Sequence, residues 1–113
     1  MAKRMRALSI RQPYAEQIMD GGKVIEYRRR LTRIRDRVYV YACKAMEPVE
    51  RYEEAGYAVE EVRRGVLVGT VEIVNCTERD GEYEWHLAAP RRLARPRLVE
   101  GMPQAGFFWP FGR

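Results

Sequence analysis

A single histidine, His86, and two cysteines, Cys43 and Cys76, are all the soft ligands this chain carries. A structural zinc site takes four such ligands at close spacing, so the sequence offers no metal site. The cysteines form no C-x-x-C pair and lie in strand-like segments. They read as small buried residues of a protein in a reducing cytosol. Long apolar runs are also missing, and none approaches the roughly 20 residues of a membrane span. The opening Met-Ala-Lys-Arg-Met-Arg is basic but lacks the apolar stretch of a signal peptide. The expectation is therefore a cytoplasmic protein with no membrane partner. No repeat, linker or low-complexity tract divides the 113 residues, which read as one domain, 1–113. A chain of this length buries a core without disulfides or metals. Nothing in it calls for a cofactor, and nothing in it sets an oligomeric state.

Acidic charge is in the minority, with 16 Asp and Glu against 21 Lys and Arg, a net charge of +5. The basic residues are mostly arginine, and they cluster. Arg28, Arg29, Arg30, Arg33, Arg35 and Arg37 fall together, and Arg91, Arg92, Arg95 and Arg97 form a second group. Carboxylates collect elsewhere, from Glu47 to Glu61 and from Glu78 to Glu84. Segregated charge produces a positive face that favours a polyanionic partner. Genome composition or heat adaptation would also enrich arginine, but neither calls for segregation.

The stretch that organises the chain is Gly21-Gly22-Lys23-Val24-Ile25-Glu26-Tyr27-Arg28, of the form G-x-K-x-x-E-x-R. Two glycines stop a helix, because glycine accepts a left-handed backbone without a clash. A strand from Val24 to Arg30 follows, with Lys23 at the turn. Alternation places Glu26, Arg28 and Arg30 on one face and Ile25 and Tyr27 on the other. A carboxylate and two guanidiniums beside a lysine suit a polar cleft; the competing reading is a solvated, salt-bridged surface strand.

Around this stretch, Arg6–Ile10 predicts a short strand, and Pro13 opens a helix whose Ala15, Ile18 and Met19 face the core. Arg37–Cys43 alternates cleanly, with Val38, Val40 and Ala42 opposite Tyr39, Tyr41 and Cys43. Pro48 opens an acidic helix to about Ala55, followed by a weaker helical or irregular piece from Val59 to Arg64. Gly65–Val74 is apolar on both faces and reads as the central strand, with Gly69 marking a bulge or a close backbone approach. Glu72 interrupts that strand. A buried carboxylate needs a partner, which Lys23 or Arg28 would supply; a solvent-facing Glu72 is the alternative. Asp80-Gly81 is a hairpin turn, and Glu82–Ala88 the next strand, with His86 on its polar face. Pro90–Leu98 reads as an irregular basic edge, since proline discourages central pairing. Gln104–Trp109 closes the chain as an aromatic strand that seals a core. Several short strands with two early helices predict an α+β fold, a small β-barrel decorated by helices.

Leu8-Ser9-Ile10-Arg11-Gln12-Pro13-Tyr14, then Gly21 to Arg28, then Gly69-Thr70-Val71-Glu72-Ile73, then Trp85, Pro90, Leu93, Pro96 and Gly101 together resemble the ASCH domain over nearly the whole chain. The resemblance implies a PUA-like fold, a small bent β-barrel with two flanking helices beside a cleft, and a part in RNA binding or RNA metabolism. By position, Lys23, Glu26 and Arg28 are its signature residues, Glu72 matches the acidic residue of the central strand, and Gln12 precedes the first helix. One branch of the family resembles an amidohydrolase of acetylated cytidine that uses a threonine nucleophile with a lysine and a glutamate. This chain keeps Lys23 and Glu72 but carries Glu26 where that branch has threonine, and a carboxylate does not replace a hydroxyl as acyl acceptor.

The leading expectation is thus an RNA-binding domain with a nucleotide-sized polar cleft. Its RNA-binding candidates are Gln12, Tyr14, Lys23, Arg28, Arg30, Arg33, Arg35, Arg91 and Arg92: arginines on phosphates and tyrosine on an unpaired base. The alternatives are a hydrolase of RNA or nucleosides, with Lys23, Glu26 and Glu72 as catalytic candidates, a reader of modified bases, and a protein-interaction module using the acidic helix.

Overall fold

The longest continuous piece of structure is a hairpin at the Asp80-Gly81 turn. It joins β4 (Val66–Arg79) to β5 (Glu82–Arg97) in a computed structural model that describes residues 4–112. Around it stand β1 (Ala7–Gln12), β2 (Ile25–Arg28), β3 (Arg37–Met46) and β6 (Phe107–Phe108). All six strands form one sheet in the order β2-β5-β4-β3-β1-β6. The pairings are antiparallel except β1 with β3, where Leu8 lies opposite Val40 and Ser9 opposite Tyr41. The sheet curls into a half-barrel, and two helices, α1 (Tyr14–Met19) and α2 (Val49–Ala55), accompany it. This is the expected α+β, PUA-like architecture.

The curl closes over the larger core. Val38, Val40 and Ala42 of β3 meet Val66, Val68, Val71 and Ile73 of β4, and Ile18 and Met19 of α1 pack against them. The opposite face is covered as well: Ala7, Tyr41, Leu67 and Phe108 form a second cluster, with Tyr39 and Cys43 beside it. Burial on both faces explains why β4 is apolar on both sides at its start.

Gly69 carries out the close approach its position implied. A Cβ there would collide with the Met19 sulfur and the Arg91 carbonyl. The sheet is also bulged beside it, between Val40 and Tyr41 of β3 and between Leu67 and Gly69 of β4. Helix α1 stops as read, with Asp20 as its last cap and Gly21 at φ +87°.

Three expectations need correction. The segment Pro90–Leu98 is not irregular: β5 runs through Pro90 and Pro96 to Arg97. Both prolines fall where the register with β4 slips, between Thr70↔Arg91 and Glu72↔Ala88 and between Leu67↔Arg97 and Gly69↔Arg92. Beyond the four-residue pairing with β2, this half of β5 has β4 on one side only, so a missing N–H disrupts little. The closing strand is only Phe107–Phe108, not Gln104–Trp109. Finally, Cys43 and Cys76 are half-buried free thiols instead of core residues.

Candidate functional site

Strand β2 is an edge strand, hydrogen-bonded to β5 alone with Glu26 opposite Trp85. Its alternation turns Glu26 and Arg28 to one side, as read from the sequence. The Glu26 carboxylate is mostly buried and is held from two directions. Arg28 Nε donates to Oε2 at 2.7 Å, and Lys23 Nζ lies 3.4 Å from Oε1. Lys23 also donates to the Ile25 carbonyl at 2.6 Å and sits 5.6 and 5.4 Å from the ring centres of Tyr14 and Tyr27. Its backbone N–H donates to Gln17 O, which fixes the turn after the glycines.

Arg28 reaches further. Its Nη2 donates to the Ser9 carbonyl of β1 at 2.8 Å, and its guanidinium stands 5.5 Å from the Trp85 ring centre. Phe107 of β6 stacks on Trp85 at 5.5 Å and an interplanar angle of 6°. One arginine and one aromatic pair thus tie the two open edges of the half-barrel together.

Between those edges lies a cleft of about 750 Å³. Glu26 and Arg28 form one wall, Ser9, Arg11 and Tyr14 another, and Tyr41, Cys43 and Lys44 of β3 the floor; the loop from Met102 to Gly106 closes the far side. Ser9 pins that loop twice, through Oγ to Gln104 O at 2.6 Å and through its N–H to Gly106 O at 3.0 Å. Arg11 pairs with Glu47 at 2.9 Å. Of the charged residues that line the cleft, Arg11, Arg28 and Lys44 outnumber Glu26, so the cleft is positive; Lys23 and Glu47 pair with Glu26 and Arg11 from outside the lining. Burial, with Glu47 second, pushes the Tyr14 hydroxyl above the usual tyrosine range, and burial does the same to Tyr41. Both are neutral at physiological pH and present hydroxyls as hydrogen-bonding groups.

The other sequence candidates stand apart from the cleft. Gln12 is fully buried; its Nε2 donates to Arg63 O and its Oε1 accepts from Glu16 N–H, both at 2.9 Å. It positions helix α1 and offers nothing to a ligand. Glu72 lies opposite Arg37 in the β3–β4 ladder, half-exposed, with its carboxylate 3.9 Å from that guanidinium. It pairs with neither Lys23 nor Arg28, because its strand position turns it away from the Val71 and Ile73 core face. Arg30 is exposed, and its carbonyl accepts from Trp85 Nε1. Arg33 is exposed too, and Arg35 folds back onto Thr32 O and Ile34 O. Arg91 is exposed on β5, and Arg92 pairs with Glu16 at 2.5 Å. His86 exchanges a hydrogen bond with Thr77.

Sequence reasoning missed Arg11, Tyr41, Lys44 and the 102–106 loop. Arg11 stood within a quoted motif and was legible there. Tyr41 and Lys44 reach the cleft only through the parallel β1–β3 pairing, and the 102–106 loop only through its hydrogen bonds to Ser9; no local pattern reveals either. Among the described residues no three or more His, Cys, Asp and Glu converge as metal ligands, and no helix is long and apolar enough to cross a membrane.

No curated protein matches this chain. Solved structures of the ASCH protein from Zymomonas mobilis do. One has a TM-score of 0.64 at 14% identity, covering 94% of this chain and 87% of that one. A tyrosine-to-phenylalanine variant of the same protein matches at TM-score 0.64 and 13% identity, covering 95% and 90%. A serine-to-alanine variant matches as the first does. At these identities the likeness establishes the fold. The family model described as ASCH domain matches residues 8–100, from the second residue of β1 to the end of the basic strand and beyond. With Lys23, Glu26, Arg28 and most of the sheet inside that match, the chain belongs to the ASCH domain family.

Proposed function

We propose that this protein binds RNA and holds one unpaired nucleotide in the cleft. The observation that carries the reading is the clamp at the cleft's wall: one carboxylate fixes two cations, so they are oriented before any ligand arrives. The ASCH family is PUA-like and in general RNA-binding. A lysine ammonium has three donors and an arginine guanidinium five. Lys23 directs two of its own to Ile25 O and Glu26, and Arg28 two to Glu26 and Ser9 O, so both keep donors for a phosphate. The volume lies within the range of about 300–1,000 Å³ typical of ligand clefts. Tyr14, only half-buried, supplies a flat, neutral surface for a base; unpaired bases are what proteins read in RNA.

The same geometry disfavours hydrolysis. Both Glu26 oxygens are already engaged, Glu72 is on another face, and the Ser9 hydroxyl is committed to Gln104 O. The test is fluorescence anisotropy with labelled RNA across a salt series. Affinity should fall steeply with salt, because each neutralised phosphate releases counterions. Lys23→Arg should keep most of the affinity and Lys23→Gln should lose it. Absence of binding at low salt, or affinity indifferent to salt, refutes the reading. Turnover of RNA or acetylated cytidine by the parent, lost in Lys23→Arg with binding intact, would place the protein among hydrolases, since a guanidinium does not exchange its proton at neutral pH.

A further inference from the structure

The cleft continues past the loop that forms its far wall. Met102 and Gln104 line the cleft on one side and, on the other, an adjoining hollow of about 430 Å³ that also holds Arg6 and Trp109. Arg6 and Trp109 in turn line a third hollow, of about 400 Å³, with Arg4, Asp36 and Arg37. Each hollow shares lining residues with the next, so the three adjoin as a groove interrupted by the side chains they share. Arg6 is three residues before Ser9 on a backbone that is still in the sheet, its carbonyl accepting from Tyr39 N–H at 2.9 Å. At about 3.3 Å per residue, it stands roughly 10 Å along from the cleft wall.

The far end is built for phosphate. The Arg4 and Arg6 guanidiniums lie 4.6 and 5.0 Å from the Trp109 ring centre. Stacking orients a guanidinium and occupies its face while leaving its in-plane N–H donors available. Arg4 gives one of these to Gly112 O, and Arg37 gives one to Thr70 Oγ1 at 2.8 Å. Among the described residues the Arg6 guanidinium has no hydrogen-bond or ion-pair partner beyond the ring. Asp36 and Glu72 border the three arginines and reduce their charge without cancelling it. Because the Trp109 ring is already stacked, this end suits a phosphate better than a base.

We propose that the groove carries a single strand of RNA over the 102–106 loop, with one nucleotide in the cleft and a neighbouring phosphate on Arg4 and Arg6. The ligand is then an oligonucleotide and not a mononucleotide, an inference that rests on the RNA-binding reading of the cleft. The test uses the full chain with uridine monophosphate and with an oligouridylate of about eight nucleotides, within the range one small single-strand-binding fold covers. The parent should bind the oligonucleotide at least about tenfold more tightly, as charge-assisted hydrogen bonds imply. The Arg4→Gln/Arg6→Gln double variant should lose that advantage and keep its mononucleotide affinity. Its salt slope should become shallower by about 1.4, since each arginine that neutralises a phosphate of a single strand adds about 0.7. As a readout free of substitution, the Trp109 indole N–H resonance should move with the oligonucleotide and stay still with the mononucleotide. Equal affinity of the parent for both ligands overturns the proposal. So does a double variant that keeps affinity and slope with the Trp109 resonance unmoved, or a polyglutamate peptide that occupies the arginines as tightly as RNA. Failure of the parent to bind either ligand removes the cleft reading itself, and this extension with it.

Discussion

Replacing Glu26 by glutamine tests the clamp directly. The substitution keeps shape and removes one charge from between two cations at 2.7 and 3.4 Å. At an effective dielectric near 20, those separations correspond to gross attractions of about 6 and 5 kcal/mol. Most of this is offset by desolvation of three side chains that retain only 13–23% of their exposure. Breaking a buried pair by removing one partner costs about 3–5 kcal/mol. The low end applies here, because Glu26 and Arg28 border an open cleft and recover some water. For a domain of this size, about 3 kcal/mol corresponds to a melting temperature lower by roughly 12 °C. RNA affinity at low salt should fall severalfold, because Lys23 and Arg28 lose the carboxylate that orients them. Thermal unfolding followed by circular dichroism reads the first effect, and anisotropy below the variant's transition reads the second. A variant that melts within about 2 °C of the parent refutes the clamp, as such a shift amounts to under 1 kcal/mol. A folded variant that binds RNA as tightly as the parent refutes the assignment of Glu26 to positioning the two cations.

Glu72→Leu should melt close to the parent and bind RNA equally, because an exposed ion pair at 3.9 Å contributes only about 0–1 kcal/mol; a loss of RNA affinity would return Glu72 to the site. Gly69→Ala should destabilise by about 3 kcal/mol or more, since the new methyl meets a backbone carbonyl that cannot yield; urea denaturation measures it, and a parent-like midpoint contradicts the packing. The Tyr57 hydroxyl donates to Asp20 at the end of α1, and that bond, with burial second, pushes its pKa from 10.0 up to about 12. The folded state therefore keeps the proton longer than the unfolded chain, so this stabilisation is complete below about pH 10 and is lost as pH rises from about 10 to about 12. Tyr57→Phe should flatten the fall in melting temperature over that window, and an unchanged profile would assign the fall to other groups.

Local chemistry made most of the fold legible. Gly21-Gly22, Asp80-Gly81 and Pro48 mark real boundaries, and the alternation of β3 divides its residues between the two cores as read. The signature stretch brings Lys23, Glu26 and Arg28 together because three close positions on a turn and one strand are a local matter. What stayed hidden was long-range. The β4 pattern left open which face carried Glu72, and only pairing with Arg37 decides it. The prolines of β5 argued correctly against regular pairing but could not show that bulges let the strand continue. The aromatic run near the end predicted a strand, yet Ser9 holds Gln104 and Gly106 as a cleft wall through hydrogen bonds that span nearly the length of the chain.

The parallel pairing of β1 with β3 has a consequence for how the molecule assembles. A two-residue turn lets β4 and β5 meet early, since loop-closure entropy is small for near neighbours. Strand β1 must instead wait for β3, across a helix and an edge strand, and for β6, which follows every other strand. Nonlocal pairings of this kind set the pace of folding. This topology favours the hairpin as the piece that forms first and the cleft, framed by β1, β3 and the 102–106 loop, as the piece completed last. A strand of RNA laid across the cleft would fasten together the parts of the chain that are slowest to find one another.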